Sequence, residues 1–216
     1  MTAGQVRAPL AGVRWLGGGS GAGKTTLARR LADRHGLVVY DTDAVMLDHA
    51  RRTGADAPLL RAFEAMSADD RWLRSPEVLL ETFHWYAGEG FDLVVEDLRA
   101  LVGAGRGVRV LAEGFRLLPD LVAPLAAPGS AVWLLPTPAF REAVFARRLD
   151  ERGSTWAVVS RTSEPDRALA HLLARDALFT ERLRADCARL GLPALEVGTD
   201  VEEDATTAQV ESLLGL

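Results

Sequence analysis

The stretch GGSGAGKTT, Gly18 to Thr26, constrains the fold of this chain more than any other, and it contains Lys24, the only lysine in the sequence. Of 25 Lys plus Arg, the other 24 are arginine. Gly18, four further residues, then Gly23-Lys24-Thr25 has the spacing of a phosphate-binding loop. Glycines let the backbone turn its N–H groups inward, and the start of the following helix adds partial positive charge. A compact ammonium on a thin stem enters such a nest where the broad guanidinium fork does not fit, which explains why the lysine survives here alone. Gly19, Ser20, Gly21, Ala22, Gly23, Lys24, Thr25 and Thr26 are therefore the candidate nucleotide contacts. Lys24 would lie on the β- and γ-phosphates of ATP and the Thr25 hydroxyl on Mg²⁺.

A loop of this kind needs a strand before it and a helix after it. VRWLG (13–17) supplies the apolar run, and KTTLARRLADRHG has Leu27 and Leu31 four apart with Gly36 as a stop. LVVYDTD (37–43), GVRVLAEG (107–114), SAVWLL (130–135) and PALEVG (193–198) are further short β-rich runs set between helical patterns. That alternation predicts an α/β fold, a parallel sheet covered by helices on both faces. Ser75-Pro76 and Thr137-Pro138 read as helix starts, and Ser163 with Asp166 and Asp200 with Glu203 have capping-box spacing. The stretch from roughly 44 to 106 is too long for a connection and reads as an inserted group of helices.

The length fits one domain spanning 1–216, and the net charge of -5 argues against a nucleic-acid partner. One cysteine, Cys187, forms no internal disulfide, and no apolar run approaches the roughly 20 residues of a membrane span. We expect a cytoplasmic protein with a small-molecule partner, no membrane association, and a monomeric or homodimeric state. The lysine scarcity also removes relatives. A Ras-like GTPase reads guanine through an Asn-Lys-x-Asp segment, which needs a second lysine, and the HRD and DFG segments of protein kinases are missing.

YDTD places Asp41 and Asp43 at the end of the second strand, two apart and so on one face. Carboxyl ends of parallel strands border the ligand crevice, so one carboxylate would hold a metal-bound water and the other accept a proton from an attacking hydroxyl. Asp43 as a plain helix cap is the competing reading.

GGSGAGKTTLARRLADRHGLVVYDTD resembles the shikimate and gluconate kinase branch of the nucleoside monophosphate kinase-like P-loop superfamily. The match covers residues 17–43. It implies a P-loop NTPase three-layer sandwich with a five-stranded parallel sheet in the order 2-3-1-4-5, an acceptor-binding helical insertion over about 44–106 and a lid over about 138–165. It further implies transfer of a phosphoryl group from ATP with Mg²⁺, with Asp41 near the metal and Asp43 at the acceptor hydroxyl. AEGF (112–115) departs from the glycine triplet of shikimate kinases and is similar to the Glu-Gly-Phe of uridine and nicotinamide riboside kinases, which puts Glu113 beside the metal. Chloramphenicol-type phosphotransferases are similar in plan. In such a lid Arg148 and Arg152 are the candidate catalytic cations, sharing a helix face with Arg141.

For the acceptor, Trp72, His84 and Trp85 with Arg71 are the candidate contacts, set among Phe83, Tyr86 and Phe91, because aromatic walls with a few polar groups suit a ring-bearing or sugar-like molecule. The other histidines read as structural or surface, and Glu96 and Asp97 in VVEDL as a solvated helix face. Two rivals stay open. A nucleoside monophosphate kinase would use arginines of the insertion, among them Arg51, Arg52, Arg61, Arg71 and Arg74. A nucleotide-binding regulatory module would have no acceptor and no need of the paired aspartates.

Overall fold

The computed structural model describes residues 10–54, 56–105, 107–150, 158–200 and 202–216, with the backbone alone for 146–150. Strands β1 (Val13–Gly18), β2 (Val38–Asp41), β3 (Val110–Glu113), β4 (Ala131–Pro136) and β5 (Ala194–Val197) form one parallel sheet in the order β2-β3-β1-β4-β5. This is the predicted fold class and strand order. The helices are α1 (Lys24–His35), α2 (Met46–Arg52), α3 (Pro58–Ala65), α4 (Ala68–Trp72), α5 (Pro76–Thr82) and α6 (Phe91–Gly103), followed by α7 (Pro119–Val122), α8 (Pro138–Asp150), α9 (Pro165–Leu190) and α10 (Glu203–Leu214).

The period-2 pleat of the three central strands sorts their side chains into two cores. Val13 and Trp15 of β1, Val110 and Ala112 of β3, and Trp133 and Leu135 of β4 pack against Phe91, Val94 and Leu98 of α6 and Phe179, Leu183 and Cys187 of α9. Their alternates Leu16, Leu111, Val132 and Leu134 face Leu27, Ala28 and Leu31 of α1 and Val210 and Leu214 of α10. Helices thus cover both faces, and each large apolar side chain buried this way contributes about 1.5–3 kcal/mol. Cys187 belongs to the first core, where burial pushes its thiol pKa up. The same alternation turns Glu113, the last residue of β3, toward the α1 side with Leu111.

Helix boundaries follow local chemistry where the sequence shows a cap. Ser75 Oγ accepts from Val78 N, Thr137 Oγ1 from Phe140 N, and Gly36 ends α1 in the left-handed region at φ 62°. Two expected capping boxes are absent. Helix α9 begins at Pro165 with Glu164 at the cap and α10 at Glu203 with Glu202 at the cap, neither with a side-chain cap bond. Ser163 instead binds Asp69 of α4, its amide at 2.7 Å and its hydroxyl at 2.6 Å, a partner 94 residues away that outcompetes the local one. Strand β2 also stops short of expectation, at Asp41, so Thr42 and Asp43 lie in the turn that follows. Among the described residues no helix is long and apolar enough to cross a membrane.

Candidate functional site

The loop between β1 and α1 takes the shape its glycines permit. Gly21 and Gly23 hold φ of 78° and 79°, and Gly23 sits at the start of α1 with no side-chain cap, which leaves the first-turn amides facing the recess. Lys24 is 7% exposed, and its Nζ donates to Gly19 O at 2.8 Å, folding the ammonium back over its own loop. The loop from Ser20 to Thr26, with Asp43 and Phe115 opposite, encloses a recess of about 110 Å³. Adjoining it, and sharing Gly21, Ala22, Gly23 and Thr26, is a cavity of about 610 Å³ walled by Leu27, Phe140, Val144, Val197 and Thr199.

Glu113, at the end of β3, lies buried behind this recess, in hydrogen-bond contact with Thr25. It is 1% exposed, and its Oε1 has no hydrogen-bond partner among the described residues. Desolvation raises its pKa to about 6, opposed by a hydrogen bond from Thr25 and by the Lys24 ammonium, while Asp41 and Asp43 push the same way as burial. A buried carboxylate oxygen without a donor, next to a threonine hydroxyl, is a costly arrangement for a bare protein and a fitting one for a cation. The described residues contain no group of three or more His, Cys, Asp or Glu placed to hold an ion. A Mg²⁺ here would accordingly take much of its coordination from phosphate oxygens and water, as that ion prefers.

The two aspartates divide their work differently from the strand-end picture. Asp41 Oδ1 accepts from Asp43 N at 2.8 Å and Ala44 N at 3.1 Å, so it is Asp41 that caps the turn before α2. Asp41 also stands beside Glu113 in the β2–β3 register. Asp43 projects into the recess. Its side chain is open to the cleft, yet the surrounding protein desolvates it enough to raise its pKa, against the Lys24 ammonium and with the Asp41 charge. Gly114 makes this approach possible. At φ 139° it carries no Cβ, and one built there would stand 1.8 Å from Thr42 Oγ1 and 3.2 Å from Asp43 Oδ1.

Apart from Asp43, the candidate acceptor residues Arg71, Trp72, His84 and Trp85 do not line either cavity. His84 is 3% exposed among Phe63, Phe83 and Trp85, and desolvation, aided by the Arg116 charge, lowers its pKa to about 4. Trp85 is the platform under Arg116, whose guanidinium carbon lies 4.0 Å from the ring centroid. Half-buried Trp72 meets Phe63 edge-on at 5.5 Å. The Arg71 guanidinium donates to the carbonyls of Phe63 and Glu64, both at 2.8 Å, and so closes the C-terminal end of α3. The side chain of Arg148 and the whole of Arg152 lie outside the described residues, as do Gly153 and Ser154.

Three residues that the sequence reading passed over are deeply involved. Arg116, 2% exposed, donates to Thr42 O, the carbonyl just before Asp43. Arg175 and Asp176 form a buried ion pair on α9 at 2.7 Å, with Tyr86 OH on the same carboxylate oxygen at 2.9 Å. The Arg175 guanidinium lies 4.7 Å from the Phe83 ring, and its Nη1 has no partner. The only local signal for Arg116 is its place three residues after Glu113.

No family model and no curated protein matches this sequence. Among solved structures, an uncharacterized protein from Eubacterium ventriosum is similar at a TM-score of 0.47 and 13% identity, over 94% of this chain and 97% of that one. A shikimate kinase from Acinetobacter baumannii in complex with shikimate is similar at a TM-score of 0.42 and 15% identity, over 99% of this chain and 95% of that one. At these values the site's own chemistry has to carry any statement about function.

Proposed function

We propose that the protein is an ATP- and Mg²⁺-dependent kinase that transfers the γ-phosphate to a hydroxyl of a small molecule. The observation that carries the reading is the convergence of Lys24, the uncapped first turn of α1 and Asp43 on one small recess, with the unpartnered Glu113 oxygen buried behind it in a carboxylate bonded to Thr25. Lys24 and the loop amides would grip the β- and γ-phosphates, and the base would lie in the 610 Å³ cavity beside Phe140, with Thr199 of the β5 turn nearby. Thr25, Glu113 and Asp41 would hold the metal, which when bound neutralises phosphate charge as the transferred group loosens from its leaving oxygen. Asp43 faces the position of the γ-phosphate from the other wall and would orient the acceptor hydroxyl and take its proton. Arg148 and Arg152 are proposed to close over the migrating group.

The acceptor is assigned as a hydroxyl rather than a phosphate because four of the five insertion arginines that a phosphate acceptor would call on, Arg52, Arg61, Arg71 and Arg74, are engaged with the protein itself. Arg52 pairs with Asp48, Glu96 and Asp97, Arg61 with Glu64 and Thr53 O, and Arg71 with two carbonyls. Arg74 donates to Thr82. A phosphate acceptor would require several of these free.

Titration of the chain with Mg-ATP, followed by ATP consumption in the presence and absence of a panel of hydroxylated metabolites and antibiotics, tests the reading. Lys24→Met is expected to lower turnover about 10²–10³-fold, the loss typical of removing one preorganised donor from developing charge. Equal nucleotide binding and consumption by the two proteins would exclude it.

A further inference from the structure

Buried arginines are usually neutralised by a carboxylate in contact, because an unpaired charge inside a protein is expensive. Arg116 is not. Its Nη1 donates to Thr42 O at 3.2 Å, and its Nη2 is shared between Gly90 O at 3.2 Å and His49 Nδ1 at 3.0 Å. Every partner is neutral, and the ring of Trp85 covers one face.

The partner on the far side sets the chemistry of the chain. A guanidinium only donates, so His49 Nδ1 accepts and the ring proton resides on Nε2. Nε2 then donates to Asp97 Oδ2 at 2.8 Å. Asp97 is fixed in turn by Tyr40 OH on the same oxygen at 2.8 Å and by Arg52 Nη1 on Oδ1 at 3.0 Å. His49 is fully buried, and its desolvation keeps the ring neutral, as this pattern of donors demands. The result is a continuous path, Asp97 to His49 to Arg116 to Thr42 O, ending one peptide bond before Asp43.

Thr42 is clamped along three directions by Glu113, the last residue of β3, and by Gly114 and Arg116 beyond it. Its amide donates to Glu113 O at 3.0 Å, its side chain fills the space that Gly114 leaves open, and its carbonyl accepts from Arg116. Arg116 thus anchors the main chain immediately before Asp43, whose Oδ1 accepts from Thr42 Oγ1 at 3.4 Å, and the cation behind it favours the ionised carboxylate. Asp41 Oδ1 holds the turn from one side and Arg116 from the other; without the second anchor the main chain that carries Asp43 would be freer, at a cost in preorganisation.

We propose that Asp97, His49 and Arg116 are a positioning relay that holds Asp43 on the acceptor side of the phosphate recess. The proposal rests on the kinase reading for its purpose and on the hydrogen-bond path for its existence, so its test needs a readout that does not depend on activity. Amide hydrogen exchange supplies one. In Asp97→Asn, which keeps the volume and stays clear of the recess, exchange at the Thr42, Asp43 and Ala44 amides is expected to quicken about tenfold while the amides of α1 keep their protection. His49→Phe is expected to do the same or more, and His49→Asn, whose side-chain oxygen can still accept from Arg116, to recover most of it. In the same variants the basal rate of Mg-ATP hydrolysis is expected to fall about tenfold with the Mg-ATP dissociation constant within twofold of the parent. Unchanged exchange at residues 42–44 in both Asp97→Asn and His49→Phe overturns the relay, as does acceleration spread evenly over the whole chain. Local acceleration in a chain that binds no Mg-ATP would leave the relay standing and remove the kinase reading instead.

Discussion

The two walls of the recess are made in different ways. Ser20 to Thr26 forms the phosphate wall as a single run, whose conformation is dictated by glycines and by the start of α1. The facing wall is assembled: Asp43 comes from the turn after β2, Phe115 from the segment after β3, and the support behind them from α2 and α6 through His49 and Asp97. The first wall tolerates change elsewhere in the molecule because its geometry is local. The second depends on contacts spanning 74 residues between Arg116 and Thr42, 67 between Arg116 and His49 and 48 between His49 and Asp97. Substitutions remote from the recess should therefore disturb the acceptor side and leave phosphate binding intact.

Gly114→Ala puts the largest strain on that contrast. The new Cβ would overlap Thr42 Oγ1 and force an L-residue to φ 139°, with a combined cost of about 3 kcal/mol. Urea unfolding would record it as a lower midpoint with an unchanged slope. Adding Thr42→Ala is expected to recover part of the loss, because the 1.8 Å contact disappears while the backbone strain and the 3.1 Å approach to Thr42 Cβ remain. A stability within about 0.5 kcal/mol of the parent for Gly114→Ala alone would mean that the two walls are less tightly joined than the geometry requires.

The same contrast decides what could be read from the sequence. The loop, its lysine, the strand alternation and the order of elements were legible because each is a pattern within a few residues. Asp97 looked like a solvated helix residue, since its helix has the usual polar face, and nothing nearby in sequence reveals that Tyr40, His49 and Arg52 all converge on it. Ser163 looked like a cap because Asp166 follows at the right distance, yet Asp69 claimed it. Asp41 and Asp43 were visible as a pair, but which of them caps the turn and which enters the recess depends on where β2 stops pairing with β3. Charged and polar groups choose partners by proximity in the folded molecule, and a one-dimensional pattern records only the near ones.

The aromatic group beyond the recess offers a milder challenge through pH. His84 is buried and neutral, with its pKa lowered to about 4 by desolvation and the Arg116 charge, against 6.5 for an unperturbed ring. Between those values the unfolded chain binds a proton that the folded chain refuses, so stability falls as pH drops from about 6.5 toward 4. The loss attributable to this residue is roughly 2–3 kcal/mol at the acid end. Subtracting the unfolding free energies of His84→Phe from those of the parent across that range isolates it from Glu113, whose raised pKa acts in the opposite direction over about 4.5 to 6. A flat difference curve would show that the ring is reached by water.

The smallest effect belongs to Tyr86, and its smallness is the informative part. Its ring stacks on Phe179 at 3.7 Å with an interplanar angle of 3°, and its hydroxyl donates to Asp176 Oδ1. That oxygen also receives Nε and Nη2 of Arg175 at 2.9 and 2.7 Å. Tyr86→Phe keeps the stack and leaves the carboxylate paired, so only one of three donors is lost and the expected cost is about 1 kcal/mol. A cost of 3 kcal/mol or more, the size seen when a buried ion is stranded, would mean that Arg175 does not hold Asp176 by itself and that the hydroxyl is what keeps the pair assembled. Thermal unfolding of the single variant separates the two cases, because a difference of that size moves the midpoint by several degrees in a chain of this length. The outcome reaches back to the comparison of the two walls: the Thr180 hydroxyl donates to the main-chain carbonyl of Asp176 and stands close behind Gly19 of the phosphate loop. A triad that gives way under one lost hydroxyl would therefore tie the loop's apparently local geometry to the aromatic side after all.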